Sequence, residues 1–120
     1  MNSGTVTADI DTVRQAHEMR NADLLINLYA DDALMQIVDR AHPPSSPLQL
    51  RGKQAITDFL RDVCSRDMTH QVVDEVVGKD RLSFDVSCQY ASGERVLAAS
   101  TCDLKNGKIV REVTVQAWDE

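Results

Sequence analysis

No stretch of this sequence approaches the ~20 consecutive apolar residues that a membrane-spanning helix needs, so a membrane is not an expected partner. The opening MNSGTVTAD has no basic segment followed by an apolar run. It therefore lacks the pattern of a secretory signal, and the cytoplasm is the expected location. Positive charge is also short: 13 basic residues against 19 acidic ones give a net charge of −6 and a pI near 4.9. That balance opposes long-range attraction to a phosphate backbone, and nucleic acid is not expected to bind. The basic residues Arg51, Lys53, Arg61 and Arg66 alternate with Asp58, Asp62 and Asp67 around one helix and read as a solvated face.

Cysteine is equally sparse. Cys64, Cys88 and Cys102 are odd in number, with no CxxC spacing and no His cluster beside them, so no zinc or other metal site is expected. Cys88 and Cys102 fall on strands that pair, about six residues or ~20 Å apart along them, too far for a disulfide. Both are expected reduced and buried. No nucleophile elbow, glycine-rich phosphate loop or HExxH occurs. What these absences leave is chemistry without a cofactor, carried by acids and bases.

The 120 residues, 42% apolar and 27% charged, fit a single globular domain over 1–120 with a substantial core; only the first several residues read as disordered. Thr7 or Asp9 caps a first helix, in which Ile10, Val13, Ala16, His17 and Arg20 recur at helical spacing. Asn21 or Asp23 starts a second, whose stripe of Leu24, Leu25, Leu28 and Tyr29 ends at Asp31-Asp32. Ala33–Val38 reads as a short strand. The His42–Pro47 segment, with three prolines, is a loop. Gly52 opens a third helix with Ala55, Ile56, Phe59, Leu60, Val63 and Cys64 on one stripe. From Thr69 the period becomes two, broken at GKDR, ASGE and KNGK, the last a strong hairpin signal. The result is an α+β domain, three helices followed by a four-stranded antiparallel meander.

Tyr29-Ala30-Asp31-Asp32-Ala33, Arg51-Gly52, Val76–Arg81 and Asn106–Val110, in this order, resemble the nuclear-transport-factor-2-like superfamily, in particular its SnoaL-like and ketosteroid-isomerase-like branch. The resemblance covers nearly the whole chain. It implies a cone-shaped, cystatin-like cup: three N-terminal helices packed on a strongly curved, mostly antiparallel sheet, with an apolar pocket open at one end. It also implies a homodimer through the outer sheet face, to which Leu97 and Ala99 beside Thr101 would contribute. Activities in that superfamily are diverse, so the fold alone assigns none. The positions that carry the isomerase residues align with Val13, Ile37 and Ser100 here, none of which matches the pattern; Asp39 keeps the strand parity of Ile37.

Strand parity turns Leu82, Phe84, Val86, Cys88 and Tyr90 inward. A three-residue turn near Ser92-Gly93 would pair position 84 with 100, adding Ala98, Ser100 and Cys102 to the same face. For the last strand two placements fit: a plain hairpin turns Val113 and Val115 in, whereas a β-bulge turns in Glu112, Thr114, Gln116 and Trp118. Tyr29 is expected at the pocket floor, Met35 and Ile37 along its wall and Trp118 at its closure or at the dimer seam. Asp31 and Asp32 are expected hydrated, His42 in a lid and His17 on the surface.

Two residues are nominated as catalytic. Asp39, at the edge of an apolar cavity, would have its pKa raised by desolvation; its other reading is a turn residue paired with Arg40. His70 at the start of a strand would shuttle protons, or else is simply solvated. The function expected is binding of an apolar small molecule, with cofactor-free isomerisation or cyclisation of a carbonyl compound, Tyr29 or Ser100 polarising its oxygen. The alternative is a noncatalytic ligand-binding or dimerisation module.

Overall fold

The computed structural model describes residues 7–119; the disorder expected of the first residues lies outside that range. Helix α1 (Ile10–Glu18) begins where Asp9 accepts the Thr12 N–H at 2.9 Å, so Asp9 rather than Thr7 caps it. Arg20, at φ 50°, turns the chain into α2 (Ala22–Asn27), capped by Asn21 accepting from the Leu24 N–H. The third helix, α3 (Lys53–Ser65), starts after Gly52. Gly52 has φ +84°, a conformation open to glycine, and donates its N–H to the Ala33 carbonyl at 2.8 Å. None of the described helices is long and apolar enough to cross a membrane.

Six strands form one curved, unclosed sheet: β1 (Tyr29–Val38), β2 (Leu48–Arg51), β3 (Met68–Val77), β4 (Arg81–Tyr90), β5 (Arg95–Lys105) and β6 (Lys108–Trp118), in the order β2-β1-β6-β5-β4-β3. The meander β3–β6 is antiparallel, with Phe84 opposite Ser100 as its turn length implies, and β1 joins β6 in parallel. Helix α1 packs on β3, and α3 lies against α2 and β1. Glu18 accepts the Val72 N–H at 3.0 Å and Arg14 pairs with Glu75, which fastens α1 to this edge strand.

Two expectations are corrected. The second helix stops at Asn27, and Tyr29, rather than closing it, opens β1. The Ile109 N–H reaches the Leu28 carbonyl at 2.8 Å, so pairing with β6 captures this segment before the helix can extend. Between Tyr29↔Ile109 and Leu34↔Arg111 the register of β1 shifts. Asp31 and Asp32 sit in that irregularity and face solvent. The second correction is an added element: β2, an edge strand after the proline loop, pairs with Leu34–Ile37.

The last strand takes the bulged placement. Asn106 and Gly107, at φ 54° and 77°, form the two-residue turn. Lys105 faces Lys108 and Leu104 faces Ile109, but Asp103 faces Arg111, leaving Val110 as the extra residue. From there Glu112, Thr114, Gln116 and Trp118 share the parity of the concave face, while Val115 is 49% exposed.

Candidate functional site

A cavity of about 410 Å³ opens between the helices and the concave face, bounded by α3, the inward residues of the meander and the end of β1. Its walls are mainly apolar: Met35, Ile37, Phe59, Leu60, Val86 and Ala98. Such a volume is in the range of small-molecule sites.

One group departs from that lining. Glu112 is only 6% exposed, and no basic side chain is within ion-pair distance of it among the described residues. Three side chains donate to its carboxyl instead: the Tyr29 hydroxyl to Oε1 at 2.6 Å, the Thr114 hydroxyl to Oε2 at 2.8 Å and, weakly, the Cys102 thiol to Oε1 at 3.6 Å. Because Thr114 spends its proton on Glu112, its 2.8 Å bond with Ser100 has Ser100 as donor. A directed chain thus runs Ser100→Thr114→Glu112. A carboxylate offers about four acceptor positions, so these donors leave it room for one more. Burial pushes the Tyr29 hydroxyl well above the usual phenol range, and the Glu112 and Cys102 acids beside it act in the same direction. Tyr29 therefore stays a donor.

The bulge thus buries a carboxyl and exposes Val115, the reverse of ordinary hydrophobic sorting. A departure of this kind marks a place where packing has yielded to something else.

The nominated residues fare differently. Asp39 lines the cavity near its mouth, but its pKa moves opposite to expectation. Partial burial raises it, yet the His42 ring at 2.9 Å and the Ala41 N–H at 2.9 Å bind the carboxylate and hold it below the ordinary value. His42 is thereby tied to Asp39, on a turn that the two residues close through their backbones. His70 lines the cavity and is buried, and neither ring nitrogen finds a hydrogen-bond partner among the described residues. Burial, followed by the charge of Arg20, lowers its pKa, so its ring is neutral.

Tyr29, Met35, Ile37, Val86, Cys88, Ser100, Glu112 and Trp118 line the cavity; Phe84 and Cys102 do not. Phe84 is covered by the His17 ring, 5.5 Å away between centroids, and Cys102 lies beneath the Glu112 carboxyl. His17 is the residue whose expected place is overturned. It faces the cavity rather than the surface, and burial, reinforced by nearby His70, lowers its pKa to about 4. Its position four residues after Val13, on the buried stripe of α1, was the available signal.

Burial raises the thiols as well, Cys88 to about 11, which keeps it protonated and unreactive. Among the described residues no three His, Cys, Asp or Glu side chains cluster so as to hold a metal ion. At the mouth, the Trp118 ring stacks on Tyr90 with centroids 6.1 Å apart, and the Arg40 guanidinium carbon lies 4.1 Å above the Trp118 ring.

The profile of the SnoaL-like domain matches residues 10–112, most of the chain. The chain belongs to the SnoaL-like domain family. Solved structures agree in fold. An NTF2-like protein of unknown function from Mesorhizobium loti is 15% identical, with a TM-score of 0.78 over 90% of this chain and 87% of that one. A candidate ketosteroid isomerase from Kribbella flavida is 14% identical, with a TM-score of 0.73 over 92% and 74%. IdmH, a candidate polyketide cyclase from Streptomyces antibioticus, is 20% identical, with a TM-score of 0.64 over 88% and 89%. A further neighbour, from Silicibacter pomeroyi, is described as having a cystatin-like fold, the architecture this SnoaL-like chain shares. Comparison with curated proteins gives no match.

Proposed function

We propose that this SnoaL-like protein binds an apolar carbonyl compound in its cavity and moves a proton next to the carbonyl, as in isomerisation or aldol-type cyclisation, with Glu112 as the base. The observation that carries this reading is a buried carboxyl that has no basic partner among the described residues and faces an apolar cavity. The names carried by the Kribbella and Streptomyces neighbours support the same reaction class.

Of the acidic and basic groups lining the cavity, Glu112 suits the task best. Asp39 lies at the mouth, with Oδ1 already taken by the Ala41 N–H and the His42 ring, whereas Glu112 is buried and keeps an acceptor position open towards the cavity. Glu112 would take the α-proton while the C–H electron pair moves to the carbonyl oxygen, forming an enolate in a setting with little water to compete. Once protonated, it can donate to Thr114, reversing the hydroxyl chain so that Ser100 delivers a proton into the cavity. His70, neutral and with no hydrogen-bond partner for its ring among the described residues, binds the ligand's oxygen. The active unit is a homodimer joined through the outer sheet face, where Leu97 and Val115 are 46% and 49% exposed.

Proton-to-deuterium exchange of methyl octyl ketone, followed by NMR, tests the reaction. Wild-type protein is expected to accelerate α-exchange above buffer, and Glu112→Gln to lose about a hundredfold of that acceleration. Equal exchange by both proteins would remove Glu112 from the role of base. Binding without any exchange would favour a noncatalytic ligand-binding module.

A further inference from the structure

The cavity has electrically opposite ends. Glu112 occupies the inner end, whereas the mouth carries Arg40 above Trp118, with Arg66 on the far side of Tyr90. The two arginines are not equivalent. Arg66 donates to the Tyr90 hydroxyl at 3.0 Å and to Asp62 at 2.6 Å, so its charge is already offset. Arg40 has no carboxylate within ion-pair distance among the described residues. Its neighbour Asp39 directs Oδ1 to the Ala41 N–H and the His42 ring. In a chain of net charge −6, an uncompensated guanidinium held on the face of an aromatic ring is a local exception to the overall field.

Glu112 and Trp118 are six residues apart on β6, about 20 Å of extended strand. The wall between them is largely apolar, with Met35, Ile37, Val86 and Ala98 all contributing. A buried carboxylate repels an anionic end group from the inner end, while a guanidinium at the rim accepts one, so the pair fixes one orientation of a long ligand.

We infer that the natural ligand is amphipathic: a carbonyl-bearing apolar body that enters towards Glu112 and ends in an anionic group, such as a carboxylate, held at the mouth by Arg40. This rests on the ligand-binding reading above and adds the charge and orientation of the ligand.

Two probes of equal length test it: methyl tetradecyl ketone, long enough to reach from Glu112 towards the mouth, and the same chain with its terminal methyl replaced by a carboxylate. Trp118 is the only tryptophan in the chain, so its fluorescence reports occupancy of the mouth, with calorimetry as a check. The keto acid is expected to bind wild-type protein about tenfold more tightly than the ketone, as a charged hydrogen bond at a rim allows. Arg40→Gln should remove this preference while leaving ketone affinity within about twofold, Arg40→Lys should retain part of it, and added salt should weaken the keto acid alone. Equal binding of the two probes, or an Arg40→Gln variant that keeps the preference, overturns the inference and leaves the cavity reading intact. Failure of both probes to bind overturns the inference together with the reading it rests on.

Discussion

His17 should make the stability of this domain fall as solutions become mildly acidic. Its folded-state pKa is about 4 against an ordinary 6.5. Between those values the unfolded chain binds a proton that the folded chain refuses, so stability rises with pH across the window. The contribution is complete above 6.5 and lost as pH falls towards 4. At 1.36 kcal/mol per pH unit the full loss is about 3 kcal/mol, a ceiling because the ring faces a cavity that water can enter. His70 shifts in the same direction and adds to the slope. Asp39, whose folded pKa is depressed, gives up its contribution only at lower pH, as pH falls through that depressed value. Urea denaturation at several pH values, read by far-ultraviolet circular dichroism, measures the effect. With a slope of about 2 kcal/mol per M, a ceiling of about 3 kcal/mol corresponds to a midpoint shift of up to about 1.5 M. His17→Gln removes the titrating group. Lost contact with Phe84 will displace its curve by a constant, but its slope between 6.5 and 4 should be visibly flatter than that of wild type. Superimposable slopes would show that His17 titrates as an exposed residue and would refute its placement in the cavity.

Tyr29→Phe deletes the 2.6 Å donor to Glu112 and should cost roughly 2 kcal/mol in urea denaturation, the scale of a hydrogen bond to a charged acceptor; a cost below about 0.5 kcal/mol would mean that the bond is absent in solution. Sedimentation should find a dimer that Leu97→Lys or Val115→Lys converts to monomer. A monomeric wild-type protein would remove the outer sheet face from the account of assembly.

Much of the architecture was legible in the sequence because it follows from local rules. The stripe Ala55, Ile56, Phe59, Leu60 fixed α3, the Asn106-Gly107 turn fixed the last hairpin, and alternation from Leu82 to Cys88 fixed the concave face of β4. The misses were decided at longer range. Tyr29 has good helical spacing with Leu25, and only its parallel pairing to Ile109 and its bond to Glu112 draw it into a strand. The face of β6 hinged on one extra residue, Val110, and hydrophobicity alone favours turning Val113 and Val115 inward. The same ambiguity hid the site. Glu112 attracts notice only once the bulge is known, whereas Asp39 drew attention through its parity with Ile37 and its place at the edge of the expected cavity, and its bonds to His42 and Ala41 cannot be inferred from spacing. His17 belonged to a stripe that was visible from the start, four residues after the buried Val13.

The most direct test of the whole account is a crystal structure with methyl octyl ketone bound. Density is expected inside the cavity, with the ketone oxygen or α-carbon in contact range of the Glu112 carboxyl and Val110 bulged out of register. Glu112 turned to solvent with Val113 and Val115 pointing inward, or ketone bound only on the outer face, would contradict it.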